Sequence, residues 1–69
     1  MNKYNPLWEY VKNSNKELIQ LTFEEIQKLL GFPIDHSFLT FKKELVDYGF
    51  EVKKISLKEK TVTFQRLSK

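Results

Sequence analysis

The segment from Leu21 to Pro33 constrains the fold most, because it contains both the start and the stop of a short helix. Thr22 and Glu25 have the spacing of a capping box, in which each side chain accepts a hydrogen bond from the other residue's backbone amide. Gly31 is placed to end the helix in a left-handed conformation, and Pro33 prevents its continuation. We therefore predict a helix over residues 23–30. Its apolar side chains share one face: Phe23, Ile26, Leu29 and Leu30.

Size and composition limit the chain to one domain over residues 1–69, with 41% hydrophobic and 14% aromatic residues to build its core. The absence of cysteine excludes disulfides and thiolate metal sites, and it is compatible with a reducing compartment. No apolar run approaches the ~20 residues needed to span a bilayer. The N-terminal residues lack the apolar region of a signal peptide. We expect a cytoplasmic protein.

Further elements are predicted on both sides of this helix. Asn5 is expected to cap a first helix, with a proline at its first helical position. The branched residues 18–21 predict a short strand. A third helix is expected to begin at a cap from Asp35 or Ser37 and to run to about Tyr48, where Gly49 ends it.

The third helix divides into two faces when its residues are placed at 100° intervals. One half is apolar except for Lys42, and it contains Phe38, Leu39, Phe41, Leu45, Val46 and Tyr48. The other half is polar and contains His36, Thr40, Lys43, Glu44 and Asp47. We expect the apolar half to pack on the core and the polar half to face a partner or the solvent.

The C-terminal residues predict a β-hairpin. Phe50 and Val52 share one parity and Ile55 and Leu57 the other, so the intervening lysines are expected to form a bulge. Residues 58–60 supply the turn. The return strand alternates cleanly, with Val62 and Phe64 between polar neighbours.

The predicted order is helix, strand, helix, helix, strand, strand. A short corner between two helices, followed by a hairpin, is the arrangement of a helix-turn-helix with a β wing. The fold class is therefore α+β, with a small winged-helix-like domain as the expected topology. An unrelated small α+β domain with the same element order is the alternative.

Several sequence blocks resemble a family of small, functionally uncharacterised bacterial proteins. Residues 6–11 read PLWEYV, residues 21–26 read LTFEEI, and residues 30–34 read LGFPI. The family reads roughly PLWEYL, then LTFEEIE-x-ILGFPLP, and it ends in GW-x-V and a strand of the VTFRR kind. Gly49–Val52 and Val62–Arg66 are similar to that ending. Residues 35–43 depart from the family, which has a longer basic and aromatic segment there. The resemblance implies the fold and gives no reaction.

Catalysis is poorly supported by the residue types present. His36 is the only histidine, and its neighbours Asp35 and Ser37 cannot easily reach relay geometry with it because the three are adjacent. Glu24 and Glu25 are explained by the helix start, where carboxylates are favoured. We predict a protein that is not an enzyme and that binds no metal and no cofactor.

Nucleic-acid binding is the better-motivated hypothesis. Residues 50–69 contain six basic residues and two acidic ones, whereas residues 1–34 contain four of each. In a helix-turn-helix the second helix presents its N-terminal residues to the bases, and these are His36, Ser37, Thr40 and Lys43. Basic residues of the hairpin would contact phosphates: Lys53, Lys54, Lys58, Lys60 and Arg66.

A protein partner remains the alternative. Glu44 and Asp47 make the exposed face of the third helix nearly neutral, which suits a protein contact as well as it suits DNA. Lysines on a hairpin also protect sheet edges against aggregation. An interaction or inhibitor module that binds a larger protein, or a homodimer, is therefore a second hypothesis. Tyr4, Trp8 or Tyr10 could anchor such an interface, although core packing is the expected use of Trp8.

Overall fold

The computed structural model describes residues 3–67 as three α-helices, one 3-10 helix and a three-stranded antiparallel sheet. The strands lie in the order β1–β3–β2. The α+β class and the predicted order of elements are confirmed. The elements are α1 (Asn5–Lys12), β1 (Leu18–Thr22), α2 (Phe23–Leu30), α3 (His36–Phe41), the 3-10 helix (Lys42–Tyr48), β2 (Phe50–Ser56) and β3 (Thr61–Arg66).

Helix α2 has both predicted ends. The Thr22 amide donates to Glu25 Oε1 at 2.9 Å, and the Glu25 amide donates to Thr22 Oγ1 at 3.0 Å. Gly31 has a φ of 86° and donates its amide to the Gln27 carbonyl at 2.7 Å. The capping box and the left-handed stop are confirmed, because both depend on residues only three or four positions apart.

Replacing Thr22 by alanine tests the contribution of the capping box. Thr22→Ala is expected to lower the free energy of unfolding by about 1 kcal/mol, because the Glu25 amide loses its acceptor. Urea denaturation followed by circular dichroism measures this loss. Thr40→Ala is the matched control, since Thr40 is exposed on α3, and its effect should stay within about 0.5 kcal/mol. Equal losses in the two variants would contradict the capping role.

The start of α1 differs from the prediction. Asn5 was expected as the N-cap, but Tyr4 occupies that position without a side-chain cap bond, and Pro6 lies within the first turn. The Asn5 side chain is used elsewhere, because its Oδ1 accepts a hydrogen bond from the Tyr48 hydroxyl at 2.6 Å. A tertiary contact with the end of the 3-10 helix has replaced the local cap.

The third helix also differs from the prediction, since the α-helix ends at Phe41 and residues Lys42–Tyr48 wind as a 3-10 helix. A 3-10 helix has 3.0 residues per turn instead of 3.6, so the predicted apolar face does not continue in phase. Leu45 is buried, whereas Val46 is 52% exposed. Leu39, at the edge of the predicted face, is 50% exposed. Gly49 ends the segment at a φ of 87°, as predicted.

The sheet follows the predicted parity. Val62 and Phe64 of β3 are buried on the face that packs against the helices, opposite Leu21 and Ile19 of β1. The register between β2 and β3 shifts between Val52 and Lys54, which confirms the bulge. The turn occupies residues 57–60.

The buried apolar residues form one cluster between the helices and the sheet. The ring of Tyr4 lies 5.7 Å from that of Trp8 and 5.8 Å from that of Phe38. Tyr4 and Trp8 are therefore core residues, whereas Tyr10 is 42% exposed. The cluster contains Tyr4, Leu7, Trp8, Val11, Ile19, Leu21, Ile26, Phe38, Leu45, Phe50, Val62 and Phe64. In the described part of the chain, no helix has the length and apolar character to cross a bilayer.

Candidate functional site

A hydrogen-bond network fixes the start of α3 against α1. Asp35 is the N-cap, and its Oδ1 accepts from the Ser37 amide at 2.9 Å and from the Ser37 hydroxyl. The Tyr4 hydroxyl lies 2.6 Å from Ser37 Oγ and donates to Asp35 Oδ1 at 3.3 Å. Lys3 Nζ lies 3.9 Å from Asp35 Oδ2. The cap predicted at Asp35 is confirmed, and it is linked to residues more than thirty positions away.

The same network perturbs two ionisable groups. Hydrogen bonds from the Ser37 hydroxyl and amide lower the pKa of Asp35, and Lys3 acts in the same direction. Burial raises the pKa of the Tyr4 phenol, whereas its hydrogen bond with Ser37 acts in the opposite direction. The folded state thus favours the ionised form of Asp35 and the neutral form of Tyr4.

Asp35 is expected to make the domain sensitive to acid. Because its pKa is lower in the folded than in the unfolded chain, it stabilises the fold above its ordinary pKa of 3.8. This contribution is lost as the pH falls through the lowered pKa. In Asp35→Asn we expect lower stability at neutral pH and a difference from wild type that shrinks in acid. Unfolding midpoints measured across the acid range test this.

Asp47→Asn provides the control for the acid sensitivity of Asp35. Asp47 is exposed, and its carboxylate makes no hydrogen bond or ion pair within residues 3–67. Its substitution should leave the pH profile unchanged. A wild-type profile in Asp35→Asn, or an equal change in both variants, would contradict the role of the cap.

The polar residues predicted for base contacts are not equivalent in the structure. Ser37 is half-buried, and its hydroxyl bonds to Asp35 and lies beside Tyr4. Its geometry is that of a capping residue. His36, Thr40 and Lys43 are exposed, the first two on α3 and the third at the start of the 3-10 helix. They remain available to a partner.

Four hairpin lysines are exposed and make no ion pair in the described residues. Lys54 pairs with Thr63, so its side chain points to the sheet face opposite the core, and Lys53 lies at the bulge. Lys58 and Lys60 belong to the turn. Two of these cations therefore lie on β2 and two in the turn.

Arg66 is separated from the turn lysines. It ends β3, roughly 17 Å along the strand from Thr61. Its guanidinium lies 3.7 Å from a carboxylate oxygen of Glu17, and its amide donates to the Glu17 carbonyl at 2.8 Å. The structure thus places Arg66 at the opposite end of the sheet, in contact with the segment before β1.

An apolar groove separates α3 from the hairpin, and the sequence analysis did not anticipate it. Its volume is 490 Å³. Leu39 and Leu57 lie at its opening, and Leu57 is 77% exposed. Leu57 directly precedes the predicted turn, and an apolar residue at that position is the sequence signal that could have indicated the groove. We call it the α3–hairpin groove, and it is lined by Phe23, Ile34, Asp35, His36, Phe38, Leu39, Ile55 and Leu57.

The groove and its surroundings contain groups suited to binding by charge and apolar contact. His36 is the only imidazole, and Asp35 beside it is committed to the cap. Across residues 3–67, no three His, Asp or Glu side chains converge in a group that could hold a metal ion. Chemically, the exposed hairpin lysines can attract anions, and the groove can cover apolar side chains of a partner.

Comparison with known proteins returns no match among protein-family models, curated proteins or solved structures. The resemblance to the small bacterial proteins therefore stays a prediction, carried by the sequence blocks that suggested it.

Proposed function

We propose that this chain is a non-enzymatic DNA-binding module of winged-helix type that acts as a small regulator in the cytoplasm. One observation carries the proposal: four exposed lysines without ion-pair partners in the described residues lie on the hairpin, whose turn adjoins α3 across the groove. The succession of α2, a short corner, α3 and a hairpin supports it, because this is the order of a helix-turn-helix with a wing. The resemblance to the bacterial family is in keeping with the same fold.

Most of the affinity in this proposal comes from phosphate contacts by the hairpin lysines. Each phosphate that is neutralised releases condensed counterions, so binding weakens steeply with salt. Base contacts are left to His36, Thr40 and Lys43. Helix α3 has only six residues, and the polar side of the segment that follows also carries Glu44 and Asp47. We therefore expect little sequence preference.

Two residues that the sequence analysis assigned to DNA contacts are not part of the interface proposed here. Ser37 is held in the cap, and Arg66 lies at the far end of the sheet beside Glu17. Their substitution should change DNA affinity less than that of any hairpin lysine.

Fluorescence anisotropy with labelled duplexes of different sequence tests the proposal. We expect binding at low salt, a steep linear fall of log affinity with log salt, and similar affinities for unrelated duplexes. Replacing Thr40 or Lys43 should alter whatever preference exists, whereas replacing Lys58 and Lys60 should weaken binding to all duplexes alike. Absence of binding at low salt would refute the proposal.

A protein partner is the second candidate, and the α3–hairpin groove favours it. Leu39 and Leu57 are exposed there, and apolar surface of this kind is typical of interaction sites. Self-association is one form of this candidate. Sedimentation analysis over a wide concentration range would detect it, and a strict monomer would exclude a homodimer.

A further inference from the structure

The α3–hairpin groove is built from three separate elements. Phe23 begins α2, Leu39 belongs to α3, and Ile55 and Leu57 come from β2 and the turn that follows it. Phe23 and Ile55 are partly buried against the core, whereas Leu57 is 77% exposed. The groove thus has an apolar floor continuous with the core and apolar side chains at its rim.

Two lysines adjoin the lining of the groove on the hairpin side. Lys58 follows Leu57 directly, and the Lys60 carbonyl accepts the Phe23 amide at 2.8 Å, so both lysines adjoin residues that line the groove. Both side chains are exposed and make no ion pair within residues 3–67. A ligand that extends from the groove past Leu57 would therefore approach these two cations.

The carboxylates near the groove only partly offset that charge. Asp35 accepts hydrogen bonds from Ser37 and Tyr4 and lies near Lys3. Glu24 lines a different depression, together with Gln27 and Gly31. Glu59 lies between the two turn lysines, which leaves the turn itself with one excess positive charge.

We propose that the α3–hairpin groove binds a segment of a partner protein in which apolar side chains are flanked by Asp or Glu. The apolar residues would cover Leu39 and Leu57, and the acidic ones would pair with Lys58 and Lys60. A volume of 490 Å³ lies in the range of about 300–1,000 Å³ that holds compact ligands. Duplex DNA matches the groove less well, because the thymine methyl is the only apolar group that it displays in the major groove.

This inference goes beyond DNA binding and does not depend on it. The two activities would nevertheless share Lys58 and Lys60. If both hold, an acidic segment in the groove competes with phosphates for the same cations, so the partner would displace the chain from DNA.

Selection from a phage-displayed library of random peptides on the immobilised full chain tests the inference. We expect enriched peptides to combine Leu, Ile or Phe with Asp or Glu. A synthetic peptide of the enriched sequence should shift the NMR signals of Leu39, Ile55 and Leu57 in the wild-type chain. Its dissociation constant should rise about tenfold in Leu57→Ser, because the substitution removes the apolar side chain that the peptide would cover.

Matched variants separate the groove from the general surface. Leu18→Ser is the control, because Leu18 is 51% exposed on β1 and does not line the groove. It should leave peptide binding unchanged. Lys58→Gln with Lys60→Gln should weaken binding and reduce its salt dependence, and these exposed positions leave the core intact.

The inference is overturned if no peptide is enriched, if the enriched peptides lack acidic residues, or if their NMR shifts map outside the groove. It is also overturned if Leu18→Ser weakens binding as much as Leu57→Ser. DNA titrations on Leu57→Ser keep the two proposals apart. If Leu57→Ser keeps its DNA affinity and loses peptide binding, both proposals are supported. If the wild-type chain binds the peptide but no DNA, only the groove proposal is supported.

Discussion

Trp8→Ala is expected to lower the free energy of unfolding by about 3–5 kcal/mol, the typical loss for removing a large buried aromatic side chain. Trp8 is fully buried, and its ring lies 5.7 Å from that of Tyr4 and 5.9 Å from that of Phe38. Domains have about 5–15 kcal/mol of stability, and one this small has little in reserve. We therefore expect the variant to be largely unfolded at 37 °C. Thermal and urea denaturation measure the loss.

Two further variants show whether the loss arises from burial. Tyr10→Ala removes an aromatic side chain from the same helix, but Tyr10 is 42% exposed, so its cost should be well below that of Trp8→Ala. Trp8→Phe keeps a ring in the core and removes the indole Nε1, a buried donor without an acceptor in the described residues. It should cost much less than Trp8→Ala. Similar losses for Tyr10→Ala and Trp8→Ala would contradict the packing described above.

Neutralising the hairpin has the second large expected effect. Replacing Lys53, Lys54, Lys58 and Lys60 by Gln should abolish most DNA binding at physiological salt. The slope of log affinity against log salt should decrease by about 0.9 for each phosphate that is no longer neutralised, and thus by up to about 3.6. All four side chains are exposed, so stability should change little. Anisotropy titrations at several salt concentrations measure the slope.

The control for this variant removes positive charge elsewhere. Lys12, Lys16 and Lys28 are exposed and lie outside the hairpin, and their joint replacement by Gln lowers the net charge without changing the proposed interface. If binding follows net charge alone, the salt slope should fall equally per residue in both variants, and the hairpin would then have no special role. A loss confined to the hairpin variant supports the proposed interface.

Local sequence patterns predicted the elements whose boundaries depend on near neighbours. The Thr22–Glu25 box, the stops at Gly31 and Gly49, and the cap at Asp35 are all present. The bulge beside Lys54 also follows from parity within one strand. Each of these features depends on hydrogen bonds or on side-chain alternation within a few consecutive residues. A short stretch of sequence is therefore enough to predict it.

The predictions that failed concern residues used by distant parts of the chain. Asn5 was assigned to a cap and instead bonds Tyr48, forty-three positions away. The third helix was expected to continue as an α-helix, but it tightens into a 3-10 helix after Phe41, which leaves Val46 exposed. Arg66 is a separate case: its predicted phosphate contact stays a prediction, and the structure places it at the end of the sheet opposite the turn lysines.

By itself, the sequence determined the helix from Phe23 to Leu30, the order of the elements and the excess of positive charge in the hairpin. Only the tertiary structure decided which of those charges lie together and that an apolar groove separates α3 from the hairpin. The physical reason is the separation along the chain over which each interaction acts. Caps and strand alternation act between near neighbours, whereas the groove requires Phe23, Leu39 and Leu57 to meet through packing that no local pattern specifies.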